Sequence, residues 1–211
     1  MSKIYFGINN CWAVKRRPLT EDWAEVYRRL DVDKVQFSFD LLEPRTSKNA
    51  LEYEPARVKK VGQAYGLKMH STFTGLATYP ARRVQIDKEI MEGVKVLRGR
   101  AKSLGLEMLL WEPMPVPREK PWTLEDAREV LKTSNQGDGV PVKLTIDVGH
   151  QCRSEGPDGD PYEWLAELAT DSPVIHLQQT DGKADRHWPF SPSFNEIGII
   201  KADKVISSIE K

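Results

Sequence analysis

The chain has 211 residues, of which 39% are hydrophobic and 29% are charged, a composition typical of a soluble globular protein. Its 31 basic and 31 acidic residues balance, which argues against binding to nucleic acid or to a membrane surface by charge. No apolar run is long enough to span a bilayer and no signal-peptide pattern is present, so we expect a cytoplasmic protein with Cys11 and Cys152 as reduced thiols. One domain over residues 1–211 is expected.

The first half of the chain alternates short apolar runs with helical patterns. Strands are predicted at 4–8, 35–39 and 67–73. Helices are predicted after Thr20 as N-cap, over 54–65 before Gly66, and over 81–104 before Gly105. Each apolar run is therefore followed by one helix.

The second half continues this alternation. Strands are predicted at 106–112, 141–147 and 173–178, and helices after the N-cap Thr123 and over 160–169. Strands that alternate with amphipathic helices form a parallel sheet through right-handed crossovers, so the fold class is α/β. The first strand lacks a glycine-rich fingerprint and the chain has no P-loop motif, which favours a barrel over a nucleotide-binding sheet.

Three of these strands carry, at or near the C-terminal end, a residue that can ligate a metal. Glu112, Asp147 and His176 are 35 and 29 residues apart, close to the length of one βα unit. Ligands at that spacing fall on the same edge of a parallel sheet, where active sites of barrels and open sheets lie. Each residue alone has a simpler explanation, since Asp147 could cap the next turn, His176 could be a core histidine and Glu112 could pair with a loop arginine. Together they predict a metal site.

These motifs, WEP at Glu112, DVGH at Asp147 and IHLQQ at His176, resemble those of the xylose-isomerase-like TIM-barrel superfamily of sugar and sugar-phosphate isomerases and epimerases. The resemblance covers most of the chain and implies that the three residues bind one divalent ion. Mn²⁺ is the usual ion in that family, with Mg²⁺, Co²⁺ or Zn²⁺ as substitutes. It also implies a (β/α)₈ barrel.

Further residues are candidates for substrate binding. The resemblance implies that His150 of DVGH contacts the substrate, and that more substrate-binding residues lie in the segment 185–190, which contains Arg186 and His187. His70 closes the third predicted strand, where it could also anchor a loop. Trp12 follows the first strand and could stack on a sugar or simply pack at the rim, and Arg186 could be a solvated loop charge.

The chain departs from the family in two places. Only about six strands are recognisable, and the fourth βα unit is missing between Tyr79 and Ala81. The eighth unit, whose strand carries a second glutamate in the family, would follow Lys211. We expect omitted or deleted segments, because an open barrel exposes unpaired strand edges.

The function that these features predict is a metal-dependent isomerase or epimerase of a sugar or sugar phosphate. Glu112 would be both a ligand and the base that transfers a proton through an enediolate stabilised by the metal. The alternative is decarboxylation of a 3-oxo sugar acid, because the segments around Glu112 and Asp185 resemble a subgroup near 3-oxo-isoapionate decarboxylase.

Two further functions are alternatives. A three-zinc endonuclease of the endonuclease IV type fits four histidines and zero net charge poorly, and a remnant that only binds a ligand is the last alternative. The predicted partner is a small carbohydrate, with neither nucleic acid nor membrane, and both a monomer and a homo-oligomer are compatible with the sequence.

Overall fold

The structure, a computed structural model, describes residues 4–38, 41–42, 47–73, 83–117, 119–152 and 156–211. The chain divides into two compact units, an N-terminal unit over Met1–Ala77 and a C-terminal unit over Thr78–Lys211. Each unit contains one region of parallel β-sheet with three strands. The single domain predicted over 1–211 stays a prediction.

The N-terminal unit is built on three parallel strands in the order β1 (Gly7–Asn9), β2 (Lys34–Ser38) and β3 (Lys68–Phe73). Its helices are a 3₁₀ turn (Asn10–Ala13), α1 (Thr20–Arg29) and α2 (Lys48–Tyr65). The core lies where α1 covers the sheet, because Trp23 packs edge-on against both Tyr27 and Phe37. The Tyr27 hydroxyl donates a 2.5 Å hydrogen bond to the carbonyl of Ile8 and so ties α1 to β1.

Two predicted boundaries in this unit are corrected. Thr20 is the first residue of α1 rather than its cap, because Leu19 occupies the N-cap position and Thr20 is buried. The first strand begins only at Gly7, where pairing with Lys34 starts, and Ile4 and Phe6 are exposed. Gly66 ends α2 as predicted, with a left-handed φ of 69° that favours glycine.

The C-terminal unit has parallel strands in the order β4 (Leu109–Trp111), β5 (Val142–Asp147) and β6 (Val174–His176). Its helices are α3 (Arg83–Ser103), α4 (Leu124–Ser134), α5 (Pro161–Leu168), α6 (Pro192–Ile197) and α7 (Ala202–Ile209), with 3₁₀ turns at Pro157–Gly159 and Ala169–Asp171. The Thr123 hydroxyl caps α4 as predicted, by accepting a hydrogen bond from the amide of Asp126. The last two helices were not predicted.

Strand β5 is the centre of this unit. Leu144 and Ile146 are fully buried in the core with Trp164 and Leu165 of α5. The Asn135 amide pairs with both backbone groups of Val142 at 2.8 and 3.0 Å, which fixes where the strand begins. Its far end, at Asp147, pairs with His176 of β6.

The prediction of an α/β fold with six strands is confirmed for the described residues. All strand pairs within the two three-stranded sheets are parallel, as βα alternation requires. The predicted loss of a fourth unit near Tyr79 and Ala81 lies outside the described residues. Within the described part of the chain, no helix is long and apolar enough to cross a membrane.

Candidate metal-binding site

The carboxyl ends of β4, β5 and β6 bring the three predicted ligands together. Asp147 and His176 are register partners at the ends of neighbouring strands, and Glu112 directly follows β4. The Glu112 Oε1 atom lies 2.9 Å from His176 Nδ1, and Asp147 Oδ2 lies 3.8 Å from the same nitrogen. One ligand atom from each residue falls within 4.8 Å of the others. The proximity that the spacing predicted is therefore present.

This geometry fits a divalent ion. Ligand atoms about 2.1 Å from a shared ion are about 3.0 Å apart at right angles and about 3.4 Å apart in a tetrahedron. The distances of 2.9 and 3.8 Å from His176 Nδ1 bracket these values. Two carboxylates and one imidazole suit Mn²⁺, Zn²⁺ or Co²⁺. The three residues can therefore hold such an ion with little movement.

The two oxygens of Asp147 have different partners. Its Oδ1 accepts hydrogen bonds from the amides of Gly149 at 2.8 Å and His150 at 3.3 Å, and from Gln178 Nε2 at 2.8 Å. Its Oδ2 faces His176. The capping role and the ligand role, which were alternatives in the sequence, are compatible because each uses its own oxygen.

The carboxylates change the protonation of the neighbouring histidines. Burial lowers the pKa of His176, but its hydrogen bond with Glu112 and the charges of Glu112 and Asp147 outweigh burial and raise the pKa. Burial also lowers the pKa of His150, yet Asp185, Asp147 and Glu112 together raise it to about 9. The site thus attracts positive charge, whether as protons or as a cation.

Of the predicted substrate-binding residues, His150 and His187 lie in this unit beside the cluster. His150 is buried, with Nδ1 3.7 Å from Glu112 Oε1 and Nε2 3.4 Å from Asp185 Oδ2. His187 Nε2 lies 2.9 Å from Asp185 Oδ2, and its side chain is 66% exposed. Arg186 makes a bidentate ion pair with Asp181, in which Nε donates to Oδ1 and Nη2 donates to Oδ2, each at 3.0 Å.

The other two predicted residues belong to the N-terminal unit. His70 is an exposed residue of β3, and Trp12 is a partly exposed residue of the 3₁₀ turn after β1. Their roles in substrate binding stay predictions.

Gln178 was not predicted from the sequence, and Asp185 was predicted only as part of the substrate-binding segment 185–190. The Gln178 amide nitrogen donates to Asp147 Oδ1 at 2.8 Å and to Asp185 Oδ1 at 2.7 Å. Gln178 stands two residues after His176, so the two-residue period of an extended chain places both on one side, a signal that could have found it. Asp185 lies in a loop, where no such period exists.

Comparison with known proteins supports the resemblance. A crystal structure of a candidate xylose isomerase from Rhodospirillum rubrum superposes with a TM-score of 0.84 and 26% identity, over 97% of this chain and 86% of that one. The chain has a xylose-isomerase-like fold. A xylose isomerase domain-containing protein from Salmonella typhimurium shares this xylose-isomerase-like fold at a TM-score of 0.53 and 13% identity, over 97% of this chain and 83% of that one. The predicted fold class, an incomplete TIM-barrel type, is confirmed by these neighbours.

A curated relative of this xylose-isomerase-like chain is the D-erythrulose 1-phosphate 3-epimerase of Brucella abortus. The two are 28% identical over 155 residues, which are 71% of this chain and 48% of the relative. The chain thus spans about half the length of the curated relative that it matches. No family model matches the chain. The recognised superfamily of sugar isomerases and epimerases is confirmed as the group that this chain resembles.

Proposed function

We propose that this chain belongs to an enzyme that isomerises or epimerises a sugar or sugar phosphate with one divalent ion held by Glu112, Asp147 and His176. The observation that carries the proposal is the convergence of these three ligand atoms at the ends of neighbouring strands. The similarity to an epimerase of a ketose phosphate supports the substrate class. Mn²⁺ is the proposed ion, and cytoplasm the proposed location.

The chemistry requires a polarised carbonyl and a base. When bound, the divalent ion supplies a Lewis acid that polarises the carbonyl and stabilises the negative charge that develops when the adjacent carbon loses its proton. Glu112 is the proposed base. The Asp147 carboxylate caps the turn after β5, whereas the Glu112 carboxylate bonds to His176 and takes no part in that turn. Its side chain is 15% exposed, so bulk water competes little for the proton that it carries.

His150 is the proposed contact for a substrate oxygen. Its Nδ1 is 3.1 Å from the carbonyl of Pro113, which holds the ring in one orientation between Glu112 and Asp185. His187, Arg186, His70 and Trp12 are proposed as further substrate-binding residues.

An isomerase can work with one base that shuttles the proton between two carbons, whereas an epimerase needs a base on each face of the enediolate.

The test is proton exchange in D₂O. Mn²⁺-loaded protein is incubated with D-erythrulose 1-phosphate and other ketoses and ketose phosphates, and deuterium at the carbon next to the carbonyl is followed by NMR. We expect exchange in the wild type and a loss of about 10²–10⁴-fold in Glu112→Gln, the usual contribution of a general base. Glu129→Gln, on the exposed face of α4, is the charge-matched control and should exchange normally.

Absence of exchange with every ketose and ketose phosphate contradicts the proposal. Release of CO₂ from a 3-oxo sugar acid without proton exchange would favour the decarboxylase instead. Full activity of Glu112→Gln would refute its role as the base.

A further inference from the structure

A cavity of about 570 Å³ opens to solvent beside the connection between β1 and α1. The residues that line it are Cys11, Trp12, Val14, Lys15 and Arg16. Its volume falls within the range of small-molecule sites, roughly 300–1,000 Å³. All of these residues belong to the N-terminal unit, and none is a proposed metal ligand. The cavity therefore needs an explanation of its own.

Hydrogen bonds hold the backbone around this cavity. The Asn9 side chain accepts a 2.9 Å hydrogen bond from the amide of Cys11 and caps the 3₁₀ turn after β1. The carbonyl of Ala13, a fully buried residue, accepts from the amides of Arg16 at 3.1 Å and Arg17 at 2.8 Å. The segment that carries the cationic side chains thus has a defined conformation.

The lining of the cavity is positively charged. Lys15 and Arg16 are exposed, and no acidic residue lines the cavity with them. Neither side chain makes an ion pair with any residue that the structure describes, whereas Arg57 of the same unit pairs with both Glu21 and Glu54. Two cations in one cavity attract an anion from solution.

The charge and the hydrogen-bond donors favour a phosphate group as the ligand. A phosphate monoester carries about −1.5 to −2 charges at neutral pH, which match the two cations. The Arg16 guanidinium can donate two parallel hydrogen bonds to phosphate oxygens, and the Lys15 ammonium acts as a compact point charge. The indole of Trp12 is 38% exposed and offers an apolar wall to the carbon chain of an organic phosphate.

We propose that Lys15 and Arg16 bind the phosphate group of a phosphorylated sugar in this cavity. The inference rests on the proposed function, from which it takes the sugar, and it narrows the ligand to sugars that carry a phosphate. The phosphate-binding step itself depends only on residues of the N-terminal unit.

Alkylation of Cys11 tests the proposal, because this thiol lies in the wall of the cavity. Cys11 is exposed, whereas Cys152 is buried and burial raises its pKa to about 12, so Cys152 reacts slowly. Metal-free protein is treated with iodoacetamide, and the modified Cys11 peptide is followed by mass spectrometry. Inorganic phosphate, D-erythrulose 1-phosphate and other ketose phosphates should slow the reaction. Sodium chloride at equal ionic strength and unphosphorylated D-erythrulose should not.

A double variant and a matched control locate the binding. Lys15→Gln/Arg16→Gln should raise the concentration of each phosphate compound that halves the alkylation rate by about tenfold or more, because the charge-assisted hydrogen bonds are lost. Lys59→Gln/Lys60→Gln removes the same charge from exposed positions of α2, away from the cavity, and should leave that concentration unchanged. Circular dichroism checks the fold of both variants.

Three results would overturn the proposal. The first is an unchanged alkylation rate of the wild type with every phosphate compound. The second is equal protection of Lys15→Gln/Arg16→Gln and the wild type, or an equal loss of protection in the control variant. The third is protection by inorganic phosphate but by none of the ketose phosphates. Because the protein is metal-free and no turnover is measured, these results are independent of whether proton exchange with a ketose is observed.

Discussion

Replacement of Gly149 by alanine tests how the Gln178 amide supports the proposed metal-binding site. An ideal Cβ at Gly149 would lie 2.1 Å from Gln178 Cδ, 2.4 Å from Nε2 and 2.5 Å from Oε1. The amide must therefore move. It makes three hydrogen bonds in its present position, to Asp147, Asp185 and the amide of His187.

The expected loss of metal affinity follows from the hydrogen bonds that the Gln178 amide breaks when it moves. Loss of a hydrogen-bonding partner of a metal ligand typically lowers metal affinity about 10–100-fold. That range corresponds to about 1.4–2.7 kcal/mol of binding free energy. The overpacking itself costs about 1–3 kcal/mol of unfolding free energy. Metal affinity and stability should therefore both fall in Gly149→Ala.

A matched control separates the two effects. A Cβ at Gly198 would lie 2.1 Å from Gln179 Cδ, so Gly198→Ala displaces an amide to the same extent. The Gln179 amide, however, bonds to Asn195 and to both backbone groups of Ile200, outside the metal ligands. Gly198→Ala should lose similar stability but keep its metal affinity.

The assay is Mn²⁺ competition with a chromophoric chelator, together with urea unfolding in the absence of metal. We expect weaker Mn²⁺ binding only in Gly149→Ala. Wild-type affinity in that variant, or an equal loss of affinity in Gly198→Ala, would refute the role assigned to Gln178.

Three further predictions concern unfolding stability and Mn²⁺ binding. In the metal-free protein, the pKa of His150 is raised from 6.5 to about 9. Protonated His150 therefore stabilises the fold by an amount on the order of 2–3 kcal/mol, which is complete below pH 6.5 and is lost as the pH rises through 9. In urea unfolding, His150→Gln should lack this decline in stability with pH, and an unchanged decline would contradict the prediction. Arg98→Met should lower the free energy of unfolding by about 3 kcal/mol, because the buried guanidinium donates hydrogen bonds to the carbonyls of Val140, Ser134 and Gln136. A decrease below about 0.5 kcal/mol in urea unfolding would contradict this prediction. Asp147→Asn should abolish tight Mn²⁺ binding by Glu112, Asp147 and His176, measured by elemental analysis. Unchanged stoichiometry would refute Asp147 as a ligand.

The strands and the convergence of the three proposed metal ligands could be predicted from the sequence because each depends on a local pattern. An apolar run that ends in Asp147 or His176 is visible without knowledge of the fold, and parallel strands bring such ends to one edge. Spacings of 35 and 29 residues, each close to the length of one βα unit, then predicted that Glu112 would join them, as the structure shows.

Other features depend on loop conformation and could not be predicted in this way. Asp185 reaches the site because the chain after β6 turns back and pairs Gln179 with Trp188 through two backbone hydrogen bonds. Gln178 then orients the Asp185 carboxylate. The late helices α6 and α7 were not predicted, because neither begins at a residue whose side chain caps it, whereas Asp160 caps the predicted helix α5.

Anomalous X-ray diffraction at the manganese edge, from crystals grown with Mn²⁺, tests the central claim most directly. We predict a peak within bonding distance of Glu112 Oε1, Asp147 Oδ2 and His176 Nδ1. A crystal with Mn²⁺ bound elsewhere and no peak among these three atoms would contradict the assignment of this site.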